Sequence, residues 1–380
     1  MAKLGDVCER ISNIESSFNG VIEYVDISSV DNIKKTIIST QTLDYSEAPS
    51  RAKQLIKNGD IIISNVRPNL NAVALVNLQS DKTLVASTGY TVIRCNKSAY
   101  NKYIFFLCQH SGFVDSLVSQ ATGASYPAVN AGIIKKETIP LPPLETQKQI
   151  AATLGKATHT IDLCNAILEK LDLLVKARFV EMFGDMSSNP YNWDKVKLGT
   201  VCDVRDGTHD SPKYYDVGYP LVTSKNVTSG IISFEDCSLI CKEDFLKINE
   251  RSKVDYGDIL MPMIGTVGKP VIVDVDREFA IKNVALLKFN SSSKVINIFV
   301  KSLLQSDYFD RVVISKVRGG TQKFIALGDI RKLELYLPPL DLQTHFAAFV
   351  EKTDRTKAAV KQVLPKAETL KKALMQEYFG

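Results

Sequence analysis

Apolar and small residues alternate by four and three along the stretch 144–184, which begins just after Pro142-Pro143. This seam consists of Ile150, Leu154, Ala157, Ile161, Cys164, Leu168, Leu171 and Val175. A heptad seam sustained over more than three heptads predicts one long helix. At 1.5 Å per residue the helix would be about 60 Å long, so it needs a second long helix to pack against.

The expected partner is the stretch 340–380. Its apolar stripe is predicted to consist of Phe346, Val350, Val360, Val363, Ala367, Leu370 and Leu374. Pro365 lies inside this stretch, and an internal proline removes a backbone hydrogen bond and clashes with the preceding turn. We therefore expect a kink or an interruption in the second helix.

The remaining chain has a different pattern. Short β-rich runs at 60–63, 72–76, 90–93, 271–273 and 284–287 are separated by Gly, Pro, Asn and Ser. Helical stretches are predicted at 100–117 and 296–315. The sequence thus predicts an α+β fold. Two mixed α/β domains, 1–143 and 185–339, would alternate with two long antiparallel helices, 144–184 and 340–380, that form a coiled coil.

The chain also repeats itself. Lys3-Leu-Gly-Asp-Val-Cys8 returns as Lys197-Leu-Gly-Thr-Val-Cys202, and the Gly-Asp pair at 59–60 returns at 257–258. The offset is 196 residues both from Leu141 to Leu337 and from Gly184 to Gly380, whereas the two pairs nearer the front give 194 and 198. Insertions and deletions therefore fall inside the domains and not in the helices. An internal pseudo-two-fold repeat with a constant spacer is indicated.

Composition narrows the class of protein. The 380 residues are 45% hydrophobic and 23% charged, with a net charge of +5, which permits a nucleic-acid partner without requiring one. No signal peptide or apolar run of membrane-spanning length is found, so a cytoplasmic location without a membrane partner is expected. The seven cysteines contain no Cys-x-x-Cys pair, which favours reduced, mostly buried thiols over a zinc site.

Enzymatic motifs are missing from the sequence. It contains neither a P-loop nor a Gly-x-Gly-x-x-Gly turn, and its four histidines are scattered. Asn189-Pro190-Tyr191 is similar to the Asn-Pro-Pro-Tyr of amino-methyltransferases but lacks the second proline, so a plain turn is the better interpretation. We expect no cofactor and no catalytic residue in this chain.

Three groups of polar loops have the chemistry of DNA contacts, because arginine pairs with guanine and asparagine with adenine in the major groove. They are the loop 64–71 with its counterpart 263–269, the loop 122–127 with its counterpart 318–323, and the loop 206–215 with 224–226. An exposed turn or a glycine hairpin remains the alternative for each. The candidate DNA-binding residues are Ser64, Asn65, Arg67, Asn69, Asn71, Thr122, Ser125, Tyr126, Thr208, His209, Lys213, Tyr214, Lys225, Asn226, Thr266, Lys269, Arg318, Thr321, Gln322 and Lys323.

These motifs together resemble the specificity (S) subunits of type I restriction-modification systems. The resemblance covers the whole chain and rests on Leu-Pro-Pro-Leu-Glu-x-Gln at 141–147, its near copy at 337–343, the Phe-Gly helix ends, and Asp206-Gly-Thr-His209 with Pro212-Lys-Tyr214. It implies two target recognition domains, each reading half of a split site in double-stranded DNA. The helix pair would fix the gap between the halves.

The resemblance also implies partners. Two adenine methyltransferase subunits would dock on the helices and carry S-adenosylmethionine, and restriction/translocase subunits could join the complex. Ile167, Leu174 and Phe179 flank the seam and are candidates for this docking, with core packing as the alternative. Three other functions stay open: a specificity subunit of a related methyltransferase-nuclease system, a DNA-modifying enzyme in its own right, and a scaffold that binds proteins.

Overall fold

The computed structural model describes residues 1–227, 230–264, 268–316 and 324–380. The chain folds into two compact units. Unit 1 comprises Met1–Asn165 and Lys361–Gly380, and unit 2 comprises Ala166–Val360. Each unit therefore combines one of the two mixed domains with a portion of both long helices.

Unit 1 contains a four-stranded sheet of order β5-β2-β9-β6, in which β2 and β9 are parallel, and an antiparallel sheet of order β10-β7-β8. β1 pairs with β11, and β3 pairs with β4. The strands are β1 Ala2–Lys3, β2 Val21–Val25, β3 Val30–Asp31, β4 Thr36–Ile37, β5 Gln41–Asp44, β6 Ala52–Leu55, β7 Ile61–Ser64, β8 Val73–Leu75, β9 Thr83–Ser87, β10 Tyr90–Ile93 and β11 Thr138–Ile139. The helices are α1 Asn101–Leu107, α2 Ser111–Ser119, α3 Ala131–Lys136 and the first part of α4 Leu144–Phe183.

Unit 2 repeats this plan. An antiparallel sheet of order β13-β19-β16-β17 adjoins a sheet of order β15-β14-β18, in which β14 and β18 are parallel, and β12 pairs with β20. The strands are β12 Lys195–Lys197, β13 Asp203–Asp206, β14 Tyr219–Val222, β15 Ser238–Ile240, β16 Ile259–Pro262, β17 Val271–Ile272, β18 Ala280–Ile281, β19 Val284–Lys288 and β20 Glu334–Tyr336. The helices are α5 Leu198–Val201, α6 Lys242–Ser252, α7 Asn297–Leu304, α8 Asp307–Val312, α9 Leu327–Arg331 and the first part of α10 Leu340–Phe379.

Both predicted medium-length helices are divided in two. His110 ends the first before α2, where its Nδ1 accepts a hydrogen bond from Gly112 N at 3.2 Å. Ser306 does the same before α8, and its hydroxyl accepts from Phe309 N. Each of these side chains satisfies a free N–H group in the first turn of the helix that follows it. The chain therefore starts a new helix there and does not continue the preceding one.

The two long helices are each 40 residues long and antiparallel where they pack. In unit 2, Phe179 of α4 contacts Phe346 of α10, and further along α10 Lys357 pairs with Asp172, nearer the start of α4. The predicted seam of α4 is confirmed, since each of its eight residues is buried or half-buried. The α+β fold with an antiparallel pair of long helices is thus confirmed.

The seam of α10 differs from the predicted stripe. Val363 and Leu370 are 46% and 55% exposed, so they do not belong to it. The positions that keep the spacing of four and three are Phe346, Val350, Thr353, Lys357, Val360, Leu364, Ala367, Lys371 and Leu374, all buried or half-buried. The apolar pattern misplaced this register because three seam positions are polar.

Pro365 does not interrupt α10, so the expected interruption is wrong. The helix continues from Leu340 to Phe379, and Pro365 lies on its exposed side. A proline there removes one backbone hydrogen bond but no buried contact, and Thr369 donates its hydroxyl to the Pro365 carbonyl at 2.8 Å. Packing of the opposite side against α4 holds the helix together.

The repeated Gly-Asp pair is part of the fold. Asp60, 1% exposed, accepts from Lys57 N and from two nitrogens of Arg94, at 2.9, 2.8 and 2.6 Å. In unit 2, Asp258 likewise accepts from Asp255 N at 2.8 Å and from Lys288 Nζ at 2.6 Å. The buried carboxylate needs such a cation. The repeat therefore marks a turn before β7 and β16 and not a binding site.

The glutamine of the Leu-Pro-Pro-Leu motif is also structural. Gln147 is fully buried; its Oε1 accepts from Tyr100 N at 2.8 Å, and its Nε2 donates to Ser98 O and Pro142 O at 3.0 and 2.8 Å. The side chain ties the start of α4 to the start of α1. The motif thus fixes the mixed domain of unit 1 to its long helix.

All seven cysteines are free thiols; Cys108, Cys164 and Cys202 are buried, and the other four are partly buried. Burial raises the pKa of Cys95 and of Cys202 to about 12, so these thiols stay protonated. In the part of the chain that the structure describes, no helix is both long enough and apolar enough to cross a membrane.

Candidate nucleic-acid interface

Two of the predicted loops meet in unit 1, although about fifty residues separate them in sequence. Val66 forms an isolated β-bridge with Ala128, and Thr122 forms another across the base of the second loop, also with Ala128. Arg67 N donates to Pro127 O at 2.7 Å, and Val129 N donates to Asn65 O at 2.9 Å. Loops 64–71 and 122–127 are therefore one surface, called here the paired loops of unit 1.

The backbone of loop 64–71 is held in an unusual shape. Arg67 and Asn71 have φ of 52° and 47°, on either side of a 3-10 turn at Pro68–Leu70. Asn71 Nδ2 donates to Cys108 O at 2.9 Å, and Lys35 Nζ donates to Asn71 O and Oδ1 at 2.5 and 3.1 Å. Left-handed backbone in a side-chain-bearing residue is retained only when the surroundings enforce it. These bonds supply that constraint.

Lys35 is an unusual member of this network. It is half-buried, and it also has a left-handed backbone with φ of 56°. Burial, together with the nearby charge of Lys371, lowers the pKa of its ammonium group to about 8. Sequence reasoning missed Lys35, because it lies more than thirty residues before the loop it holds.

Three of the expected DNA contacts are occupied within the protein. Ser64 is 5% exposed and its hydroxyl donates to Val66 O at 3.0 Å. Asn65 Oδ1 accepts from the Thr91 hydroxyl at 2.6 Å, and Asn71 has the bonds described above. Their side chains shape the loop, so the expectation that they are presented to DNA is corrected. Arg67 and Asn69 remain exposed.

The exposed side of the paired loops carries an arginine on an aromatic ring. Arg67 Cζ lies 4.8 Å from the centroid of Tyr126, which is 68% exposed. Ser125 and Thr122 are exposed beside them. Gly123 permits the turn: its φ is 104°, and a Cβ would lie 2.9 Å from Tyr126 O. The turn thus has both a structural need for glycine and an exposed polar surface.

Unit 2 has the same loop pairing. Ile264 forms a β-bridge with Phe324, and Ile325 N donates to Met263 O at 2.9 Å. Those bridged positions correspond to Val66 and Ala128 through the internal repeat. Five of the expected contacts in these loops lie outside the described residues: Thr266, Arg318, Thr321, Gln322 and Lys323.

The Asp206-Gly-Thr-His motif is an anchored turn. The ring nitrogens of His209 lie 2.9 Å from Asp206 Oδ2 and 2.8 Å from Asn283 Oδ1, while Asp206 also pairs with Arg251. A Cβ on Gly207 would lie 2.3 Å from Ile281 O, so only glycine fits. Thr208 accepts from Asp210 N at 3.1 Å. The turn fixes His209 in place with 63% of its side chain exposed.

A cleft of about 800 Å³ lies beside this turn. Tyr214 and Lys225, both expected contacts, line it, and Lys213 stands outside it with Nζ 5.5 Å from the Tyr215 ring. Asn226 also lines the cleft but is 7% exposed, because its Oδ1 accepts from Thr223 N and Oγ1, so its role is structural. Lys269 is exposed but lies in a different cavity, with Lys301 and Lys357.

The polar residues of this cleft that sequence reasoning missed include Glu235, Asp236 and Asn283. Asp236 and Asn283 have φ of 57° and 56°, a conformation that asparagine and aspartate tolerate better than most residues. Carboxylates accept hydrogen bonds from the cytosine amino group, and asparagine pairs with adenine. Nowhere in the described chain do three or more His, Cys, Asp or Glu residues form a group that could hold a metal.

The expected docking residues divide into two kinds. Phe179 is 3% exposed and packs against Phe183, Phe299 and Phe346, so its expected docking role is corrected to one in the core. Leu174 is 49% exposed, and Ile167 is half-buried. The repeat offset of 196 relates them to Leu370 and Val363 in unit 1, which are also exposed.

A family model described as the type I restriction modification DNA specificity domain matches this chain twice, at residues 1–173 and 190–368. The chain is thus a protein with two DNA specificity domains. It belongs to the type I restriction-modification DNA specificity family, and its function is to recognise the DNA target of such a system. The repeat found in the sequence is the repeat of this domain.

Known proteins agree with this assignment. The MjaVIII specificity subunit of a type I restriction enzyme from Methanocaldococcus jannaschii is 26% identical over 313 residues, which cover 77% of this chain and 73% of that protein. The type I S subunit of M. genitalium has a TM-score of 0.60 at 14% identity over 100% of this chain and 95% of that chain. A chain from a solved type I R-M system, described for its assembly and conformational transition, has a TM-score of 0.60 at 24% identity, over 99% and 96%. These two structures share the fold.

Proposed function

We propose that each unit reads one half of a bipartite site in double-stranded DNA through its paired loops. The observation that carries this proposal is the equivalent bridge in the two units, Val66 with Ala128 and Ile264 with Phe324. The same framework thus presents two loop pairs whose side chains differ. In unit 1 the contacts would come from Arg67, Asn69, Thr122, Ser125 and Tyr126.

In unit 2 the contacts would come from the cleft and its rim. His209, Lys213, Tyr214 and Lys225 are exposed there. Glu235, Asp236 and Asn283 join them as groups able to bond base edges. The cleft and its rim carry both acidic and basic side chains, which suits contacts with the edges of DNA bases. Contacts with phosphates alone would require a more uniformly basic surface.

The catalytic part of the system would belong to its partners. Two adenine methyltransferase subunits, each binding S-adenosylmethionine, would dock on the long helices, one near Leu174 and one near Leu370. Two equivalent exposed leucines in one chain support two copies of one partner. Restriction/translocase subunits would join the same complex, and it would act in the cytoplasm, where the chromosomal DNA is.

The equal length of α4 and α10 supports a spacer role. Both helices have 40 residues, while the mixed domains have gained and lost residues relative to each other. A gap of constant length between the half-sites would follow from such a constant spacer.

Mapping of methylated adenines in the host genome, with and without this gene, tests the proposal. One two-part sequence with a fixed gap should lose its methylation when the gene is removed. The methylation should return when the gene is restored. An unchanged methylation map would contradict it. If the purified chain methylated or cut DNA without partners, the alternative of a DNA-modifying enzyme would be favoured. Binding to DNA without any sequence preference would favour the alternative of a scaffold that binds proteins.

A further inference from the structure

We propose that Arg67 reads a guanine in the half-site of unit 1, and that Tyr126 is the positioning residue that holds its guanidinium in the reading orientation. The inference rests on the proposed function, since it takes the paired loops of unit 1 to be the DNA-reading surface. It adds the chemical identity of one base and assigns a role to an exposed aromatic residue.

The backbone of Arg67 is fixed more firmly than an exposed loop requires. Its N–H donates to Pro127 O at 2.7 Å, and its carbonyl accepts from Leu70 N at 2.9 Å. Pro68 follows directly, and a proline disfavours the right-handed helical conformation for the residue before it. The two hydrogen bonds hold Arg67 at its left-handed φ of 52°. Strained backbone in an exposed loop is a common mark of a functional residue.

The side chain is prepared for an in-plane contact. Arg67 Cζ lies over the Tyr126 ring, 4.8 Å from its centroid. A guanidinium that stacks on an aromatic face keeps the N–H groups at its edge available for hydrogen bonds. Within the described residues, no carboxylate pairs with Arg67. Guanine presents O6 and N7 side by side in the major groove, and a guanidinium edge donates to both. The geometry therefore favours guanine over the other bases.

The stack is not explained by stability. Tyr126 is 68% exposed and Arg67 is exposed, and a cation–π pair at an exposed site contributes only about 0.5–1 kcal/mol. Burial of the ring adds little either. A phosphate contact would not need a strained and stacked arginine, because a flexible surface lysine suffices.

The test uses the complex purified from host cells through a tag on the full chain, and the duplex identified by methylation mapping. Each guanine of the target is replaced in turn by 7-deazaguanine, which lacks the N7 acceptor. With unaltered protein, replacement of one particular guanine should lower the affinity for the duplex about 5- to 10-fold, as expected when part of a bidentate contact is lost. With Arg67→Ala, the same replacement should change nothing further.

Tyr126 is tested by the same measurement. Tyr126→Phe keeps the ring and should keep the sensitivity to that 7-deazaguanine, whereas Tyr126→Leu should remove most of it. Thermal unfolding of each variant, and unaltered recognition of the other half-site, report on folding. A half-site without guanine, or a 7-deazaguanine effect that persists in Arg67→Ala, would overturn the inference alone. So would an Arg67→Ala variant that weakens all DNA sequences equally. Absence of any two-part target would instead refute the proposed function.

Discussion

Gln147 and Gln343, 196 residues apart, make the same set of three hydrogen bonds in their two units. Gln343 Oε1 accepts from Ile296 N at 3.0 Å, and its Nε2 donates to Lys294 O and Pro338 O at 3.1 and 2.9 Å. Like Gln147, it is fully buried. The two amides show that the units share one internal framework at the junction of domain and helix.

Replacing Gln147 by Met should destabilise the protein by about 2–4 kcal/mol, because buried backbone groups lose their partners while the volume is kept. Urea unfolding measures the change. Gln149→Met, an exposed position on the same helix, should stay within about 0.5 kcal/mol. Equal effects of the two substitutions would show that the buried amide has no special role.

Lys35 gives a pH dependence with a definite sign. Its pKa in the folded protein is about 8, below the unfolded value near 10.5. Between these two pH values the unfolded chain therefore binds more protons than the folded protein. The stability of the unaltered protein relative to Lys35→Met should therefore rise between about pH 8 and pH 10 and stay level below it. Denaturation at several pH values measures this difference. Lys34→Met, at an exposed neighbouring position, is the control with which the pH dependence of Lys35→Met is compared.

Leu174→Asp should remove one of the two methyltransferase subunits that we propose to dock on the helices, and so should Leu370→Asp, because a charge placed in an apolar contact must lose its water. The double variant should bind neither subunit. Native mass spectrometry of the purified complex counts the subunits. Leu163→Asp provides the control: Leu163 is 50% exposed, but its repeat counterpart is Ala359. If it had the same effect, docking would not follow the repeat.

Seven residues inserted after Asn165 and seven after Lys361, which correspond through the repeat, should lengthen both helices by about 10 Å. The gap between the half-sites should grow by about three base pairs, at 3.4 Å per pair, while both half-sites stay the same. Methylation mapping reads this directly. An unchanged gap would argue against the spacer role of the helices.

The sequence was informative where one physical rule decides the outcome. The seam of α4 could be predicted from the spacing of apolar residues alone. The repeat could be predicted from identical residues at corresponding positions. The seam of α10 could not be obtained this way, since Lys357 and Lys371 occupy it and the ammonium group of Lys357 is paired with Asp172. The interruption at His110 depends on a capping bond that apolar spacing does not show.

The site was only partly predictable for a related reason. Composition identified loops rich in groups that bond to bases, but it could not say which groups the fold itself uses. Asn65 and Asn69 are the same residue type in the same loop, yet the side chain of Asn65 is hydrogen-bonded to Thr91 and that of Asn69 is exposed. The contact between Arg67 and Tyr126 depends on the bridge between Val66 and Ala128, which no local pattern specifies.

The buried amides of Gln147 and Gln343 have a consequence for how new specificities arise. Residues that fix each mixed domain to its own long helix lie inside that unit, and residues that vary between the units lie on exposed loops. Substitutions of exposed loop side chains such as Arg67 and Asn69 therefore leave folding almost unchanged, while the buried framework tolerates little change. Selection for a different target can act on one unit without disturbing the folding of either.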